Sequence, residues 1–150
     1  MSVEEELLIL KQLGFFQCFT DEQLRLVAFG AERVQFRTGR ELFRENQPAD
    51  SAFILISGQI DLYQMGNEGP ILVHNVMPGS MIGELSLICK MKRSVSAVAA
   101  EDGTALRVSR GIFRRILDEY PQAAKLLFEH LSNDFHHMVE KLSNTQITKD

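Results

Sequence analysis

A chain of 150 residues has room for one domain and can bury roughly 70% of its unfolded surface, so its core needs neither disulfides nor a metal. A composition of 45% hydrophobic and 24% charged residues excludes a disordered or collagen-like chain. With 16 basic and 20 acidic residues the net charge is −4, which argues against broad binding to nucleic acid or anionic membranes.

The first ten residues, MSVEEELLIL, are acidic where a secretory signal is basic, and no apolar run is long enough to span a bilayer. Cys18 and Cys89 are too few for a disulfide framework and lack metal spacing, so a reducing cytoplasm is the expected setting. Leu7, Leu8, Leu10 and Leu13 form a helical stripe that Gly14 ends. Thr20, followed by Asp21, Glu22 and Gln23, caps a second helix through Leu24, Val27 and Ala28.

From Glu32 to Val108 short apolar or alternating runs recur at 34–36, 41–43, 52–56, 59–64, 71–76, 94–99 and 105–108. Turn residues separate them, among them Thr38-Gly39, Asn46-Gln47-Pro48, Ser57-Gly58, Pro78-Gly79 and Asp102-Gly103. About seven short strands predict a sandwich or roll. Gly83–Ile88 breaks the pattern and predicts a helix of one or two turns.

Ser109 caps a helix through Ile112, Phe113, Ile116 and Leu117, and Tyr120-Pro121 ends it. A long helix is expected from Pro121 to Leu142. Phe128, Leu131, Phe135, Met138 and Leu142 step by three and four along it. Two readings of that stripe stay open: packing on the roll, or a helix pair in a homodimer.

Residues 51–89 hold no Lys or Arg, and then Lys90, Lys92 and Arg93 appear together. Just upstream, Gly83 allows close backbone approach, and the turn that follows offers free N–H groups to an anion. Arg93, ten residues on, can fold back and grip two phosphate oxygens. A carboxylate at Glu84 repels phosphate but suits a neighbouring hydroxyl, such as a ribose 2′-OH. The alternative is an acidic helix start beside a surface arginine.

These residues carry a resemblance. Gly83-Glu84-Leu85-Ser86-Leu87-Ile88, followed by Arg93-Ser94-Val95-Ser96-Ala97-Val98, resembles the phosphate-binding cassette of cyclic nucleotide-binding domains, with the glycine-to-arginine spacing intact. The likeness extends to residues 13–24, 39–51, 53–60 and 77–79, and so runs from about Leu7 to Leu142.

The family resemblance implies an α+β, mainly β fold: an eight-stranded antiparallel β-roll with N-terminal helices, a short cassette helix and a long C-terminal helix. One domain, 1–150, would divide into helices at 1–30, the roll at 31–108 and helices at 109–142. The resemblance also implies roles. Arg93 would pair with the cyclic phosphate and Glu84 would accept from the ribose 2′-OH. Amides of Gly83, Leu85, Ser86 and Ser94 would line phosphate and ribose, with Val73, Ile82 and Leu85 as the apolar wall near the base. Leu127, His130, Leu131 and Asp134 are candidate caps from the long helix.

There are departures from the family pattern. Ile82 stands for a common Phe, Lys90 for a frequent Gly, Lys92 for the Pro before the arginine, Val95 for Ala, and Asn46 for a turn glycine. Asn tolerates left-handed geometry, so that turn should survive.

The resemblance implies a regulatory domain rather than an enzyme. Its ligand would be cAMP or cGMP, with cAMP favoured and no metal, and its effector an unknown protein in trans. Only residues 143–150 follow the long helix, so no DNA-reading module is expected. The alternative is a scaffold or protein-interaction domain of the same fold, with weak or no nucleotide binding.

Overall fold

The structure, a computed structural model, describes the backbone of residues 2–149 and the side chains of 2–137, 139 and 140. Helix α1 (Val3–Gln12) begins at Ser2, which shares reciprocal capping hydrogen bonds with Glu5. Helix α2 (Asp21–Gly30) begins at Thr20, where the hydroxyl accepts the Gln23 N–H and the Gln23 side chain accepts the Thr20 N–H. A single 3₁₀ turn, Gly14–Phe16, joins the two helices.

Eight strands follow: β1 (Glu32–Phe36), β2 (Glu41–Phe43), β3 (Pro48–Ala49), β4 (Ser51–Gly66), β5 (Gly69–Val76), β6 (Met81–Ile82), β7 (Met91–Lys92) and β8 (Ser96–Ser109). The main sheet runs β1-β8-β4-β5, with β2 on β8 and β6 on β4, while β3 pairs with β7. Every pairing among the described residues is antiparallel. The fold is α+β, mainly β, a β-roll flanked by helices.

Two expected turns are not turns. Ser57-Gly58 and Asp102-Gly103 lie inside the long strands β4 and β8, where the register shifts and the ladder bends. Gly58 has φ +84°, and a Cβ there would stand 2.6 Å from the Asp102 carbonyl oxygen. The glycines let two paired strands bend together against each other, which a sequence reading takes for two separate chain reversals. The strands β3, β6 and β7, two residues each, carry no periodic signal and were not among the expected runs.

Two cores divide the apolar residues. Phe36, Phe43, Phe53, Leu55, Ile60 and Ile82 fill the roll. Leu10, Phe16, Leu24, Val27, Phe113 and Leu127 bind the helices to its outside. Helix α3 (Arg110–Glu119) is capped by the Ser109 hydroxyl, and α4 (Pro121–Lys149) starts after the Tyr120 break. Leu127 is fully buried and Leu131 packs on the helical core, so one side of α4 does pack on the body. Phe128 and Phe135 face solvent, and the side chains of Met138 and Leu142 lie outside the described residues. No helix among the described residues is long and apolar enough to cross a membrane.

Candidate functional site

The cassette is hung between two short ladders. On one side β6 pairs with Phe53 and Ile54 of β4, and on the other β7 pairs with β3. Gly83 follows β6 directly with φ +76°, the left-handed region that favours glycine, and caps the 3₁₀ turn Glu84–Leu87. Arg93 follows β7, with its N–H donating to the Gln47 carbonyl at 2.8 Å. In return the Asn46 N–H donates to the Arg93 carbonyl at 2.8 Å, and Asn46 sits at φ +72°, as its tolerance of that geometry predicts.

From this anchor the Arg93 side chain folds inward and is only 7% exposed. Nη2 donates to the Ser51 carbonyl at 2.8 Å and to its hydroxyl at 3.2 Å. The guanidinium lies 4.2 Å from the centre of the Phe43 ring and 5.8 Å from that of Phe53. Burial pushes its pKa below the ordinary arginine value; the Asp50 carboxylate works against this, and Arg107 and Arg110 add to it. Arg93 makes no ion pair among the described residues.

A cavity of about 70 Å³ opens beside it, lined by Ile82, Gly83, Ser86, Lys92, Arg93 and Ser94 together with Phe43, Ala49, Met91 and Val95. Among the described residues no carboxylate lines it. Ser86 is fully buried, and its hydroxyl donates toward the Ser51 carbonyl at 2.7 Å and the Gly83 carbonyl at 2.6 Å. The Ser86 N–H also donates to the Gly83 carbonyl, at 3.0 Å, so the turn itself consumes an amide that the sequence reading aims at phosphate.

Glu84 and Leu85 do not share this cavity. They line a groove of about 540 Å³ with Gly14, Met81, His130, Leu131 and Asp134, between the cassette turn and α4. In that groove His130 Nε2 lies 3.5 Å from Asp134 Oδ2. Val73 stands apart, exposed at an irregularity of the β4–β5 ladder, and lines neither space.

Two polar residues of the site, besides apolar ones such as Phe43, escape sequence reasoning. Ser51 carries no signal of its own. Arg110 does: a cation in the first turn of a helix opposes the helix dipole, which suggests that its charge serves elsewhere. Its Nε donates to the Ser86 carbonyl at 2.7 Å, and Nη2 donates to the carbonyls of Cys89, at 3.2 Å, and Ala49. Among the described residues no group of three or more His, Cys, Asp and Glu is placed to hold a metal.

Known proteins are similar to this chain in sequence and fold. A cAMP-dependent protein kinase regulatory subunit from Debaryomyces hansenii is 32% identical over 119 residues, covering 78% of this chain and 25% of that one. The chain spans about a quarter of the length of the kinase subunits it matches. A solved cyclic nucleotide-binding-like protein from Brucella abortus is 49% identical with a TM-score of 0.72, covering 76% of this chain and 98% of that one. The N-terminal domain of a transcriptional regulator from Streptomyces coelicolor shares the fold, with a TM-score of 0.84 at 23% identity over 89% of this chain and 94% of that one. Residues 33–120, which hold the roll and the whole cassette, match the cyclic nucleotide-binding domain, and the chain belongs to that family.

Proposed function

We propose that this chain is a cAMP sensor, preferring cAMP to cGMP, that signals to a protein partner through α4. One observation carries the reading: a buried guanidinium with no ion-pair partner among the described residues, set against a left-handed glycine in a cavity without carboxylates. Such a cation favours an anion with two oxygens to offer. The cyclic phosphate supplies them, and the amide of Gly83, with Ser94 and Lys92 beside it, completes its shell. Ser86 acts through its hydroxyl, which braces the Gly83 and Ser51 carbonyls.

A cavity of about 70 Å³ suits the phosphate and not a nucleoside. Sugar and base therefore lie outside it, with Ile82 at the inner wall and the exposed Leu85 and Val73 offering apolar surface to the base. Glu84 takes the ribose 2′-hydroxyl by leaving the groove that it shares with His130 and Asp134. That movement alters the surface against α4 and gives the ligand a differential contact between two states of the helix. The preference for cAMP is supported by the names of the kinase subunits above. A regulatory role is supported by the same relatives.

Calorimetric titration of the purified chain, stripped of co-purified ligand, with cAMP and then cGMP tests this. Saturable binding with cAMP the tighter is expected, lost in Arg93→Ala while the fold is kept. Unchanged affinity in that variant overturns the site, and no heat from either nucleotide on folded protein favours the scaffold reading.

A further inference from the structure

We propose a second ligand site on the outer face of the roll, for a small molecule with an apolar or aromatic body and one positive charge. This proposal does not rest on the cassette reading. Strand alternation places the site. Leu62 and Ala97 turn into the roll's inner core, while Tyr63, Ser96 and Val98, next to them along β4 and β8, face the other way. On β2 the register shifts between Glu41 and Phe43, so that Phe43 pairs with Ala97 on the inner side and Glu41 pairs with Val98 on the outer one. With Met65 and Pro70 of the β4–β5 hairpin the outward-facing residues border a cavity of about 420 Å³. That volume is in the usual range for small-molecule sites, and the cavity shares no lining residue with the Arg93 cavity.

Charge selects the ligand. Arg44 is committed to Glu41, its Nε donating to Oε1 at 2.7 Å. Glu45, half-buried, accepts the Met65 N–H on Oε1 at 2.9 Å and makes no ion pair among the described residues. A carboxylate oriented by a backbone donor beside Tyr63, Met65, Pro70 and Val98 suits an ammonium group whose body covers those side chains. An anionic ligand would meet Glu41 and Glu45 instead.

The site also touches the cassette's anchor. The Glu45 N–H donates to the Ser96 hydroxyl at 2.9 Å, and the next two residues exchange hydrogen bonds with the Arg93 backbone. An occupant that draws on Glu45 therefore acts on the turn that holds Arg93, and any such coupling is reciprocal.

Phenethylamine and tryptamine, with phenylacetate and indole-3-acetate as charge-reversed controls, are titrated into the whole chain and followed by amide chemical shifts. Saturable binding of the amines and not of the acids is expected, with shifts at Glu45, Tyr63–Met65 and Ser96–Val98. Glu45→Gln should weaken the amines about fivefold, the scale of a partly exposed ion pair, and Met65→Trp, which fills the cavity from an exposed position, should abolish binding. Circular dichroism checks that both variants are folded. The proposal is overturned by equal binding of the acids, by shifts centred on Gly83 and Arg93, by affinities unchanged in both variants, or by no saturation with any amine below about 5 mM.

Discussion

Nη1 of Arg93 lies so close to the backbone of Gly83 that a Cβ built on the glycine would stand 2.6 Å from it. The guanidinium cannot simply step aside, because Ser51 and the Phe43 ring hold its other faces. Gly83→Ala therefore acts twice. The left-handed φ costs about 1–2 kcal/mol of stability in any L-residue, readable by urea unfolding. The displaced guanidinium costs nucleotide affinity well beyond that share, readable by calorimetry. A variant that loses stability yet binds cAMP normally would separate Gly83 from the phosphate site.

Arg110 makes a different prediction, because it touches the cassette only from behind. Its fork gathers carbonyls from β3, from the cassette turn and from Cys89 beyond it. Removing it leaves those acceptors unmet, which costs about 1–3 kcal/mol. Arg110→Ala should raise amide hydrogen exchange across residues 86–92 and weaken nucleotide binding. Arg110→Lys should not restore it, since an ammonium lacks the planar fork. Unaltered exchange across 86–92 would reduce Arg110 to a surface residue.

Helix caps, the cassette spacing and the Tyr120-Pro121 break were legible because each rests on local chemistry. Thr20 caps with the Gln23 three residues on, and Asn46 adopts the left-handed turn whoever its neighbours are. What the sequence concealed is long-range. Gly58 reads as a turn until its opposite number at Asp102-Gly103 is known, and then it is a bend shared by two strands. The same limit hides the site's interior. Gly83 and Arg93 announce themselves, whereas Ser51 and Phe43 enter only once β4 and β2 close around the guanidinium. Glu84 and Arg93, adjacent in the motif's logic, line different spaces because the 3₁₀ turn rotates the carboxylate's position toward α4.

Asp102 ties the bend of β8 to the loop after β1. Its Oδ1 accepts the Thr38 N–H at 2.7 Å and the Thr38 hydroxyl at 3.0 Å. These two bonds, the backbone one foremost, hold its carboxyl below the ordinary aspartate value; partial desolvation opposes them and Arg37 adds to them. A folded pKa below the unfolded one stabilises the carboxylate form. The contribution is complete above the unfolded value of about 3.9 and is lost as pH falls through the lower folded value. Asp102→Ala should therefore lower Tm at pH 7, with the gap to wild type closing in strong acid. A gap of equal size at both ends would show that Asp102 acts through something other than its charge.

On α4, Leu127 and Leu131 are spent on the helical core, while Phe128 and Phe135 remain 53% and 65% exposed. Seven residues apart, the two rings lie on one side of the helix, with Val139 four further on. A homodimer through this side would bury both rings in each copy. Burying a large apolar side chain contributes about 1.5–3 kcal/mol. A charge at position 135 forfeits that in both copies, so Phe135→Glu should weaken such a dimer about a hundredfold or more. Position 135 supports nothing in the core, so the variant should fold; if the wild type pairs through this side, sedimentation velocity should show its dimer give way to monomer. A sedimentation profile identical to wild type would instead leave these rings without a part in self-association.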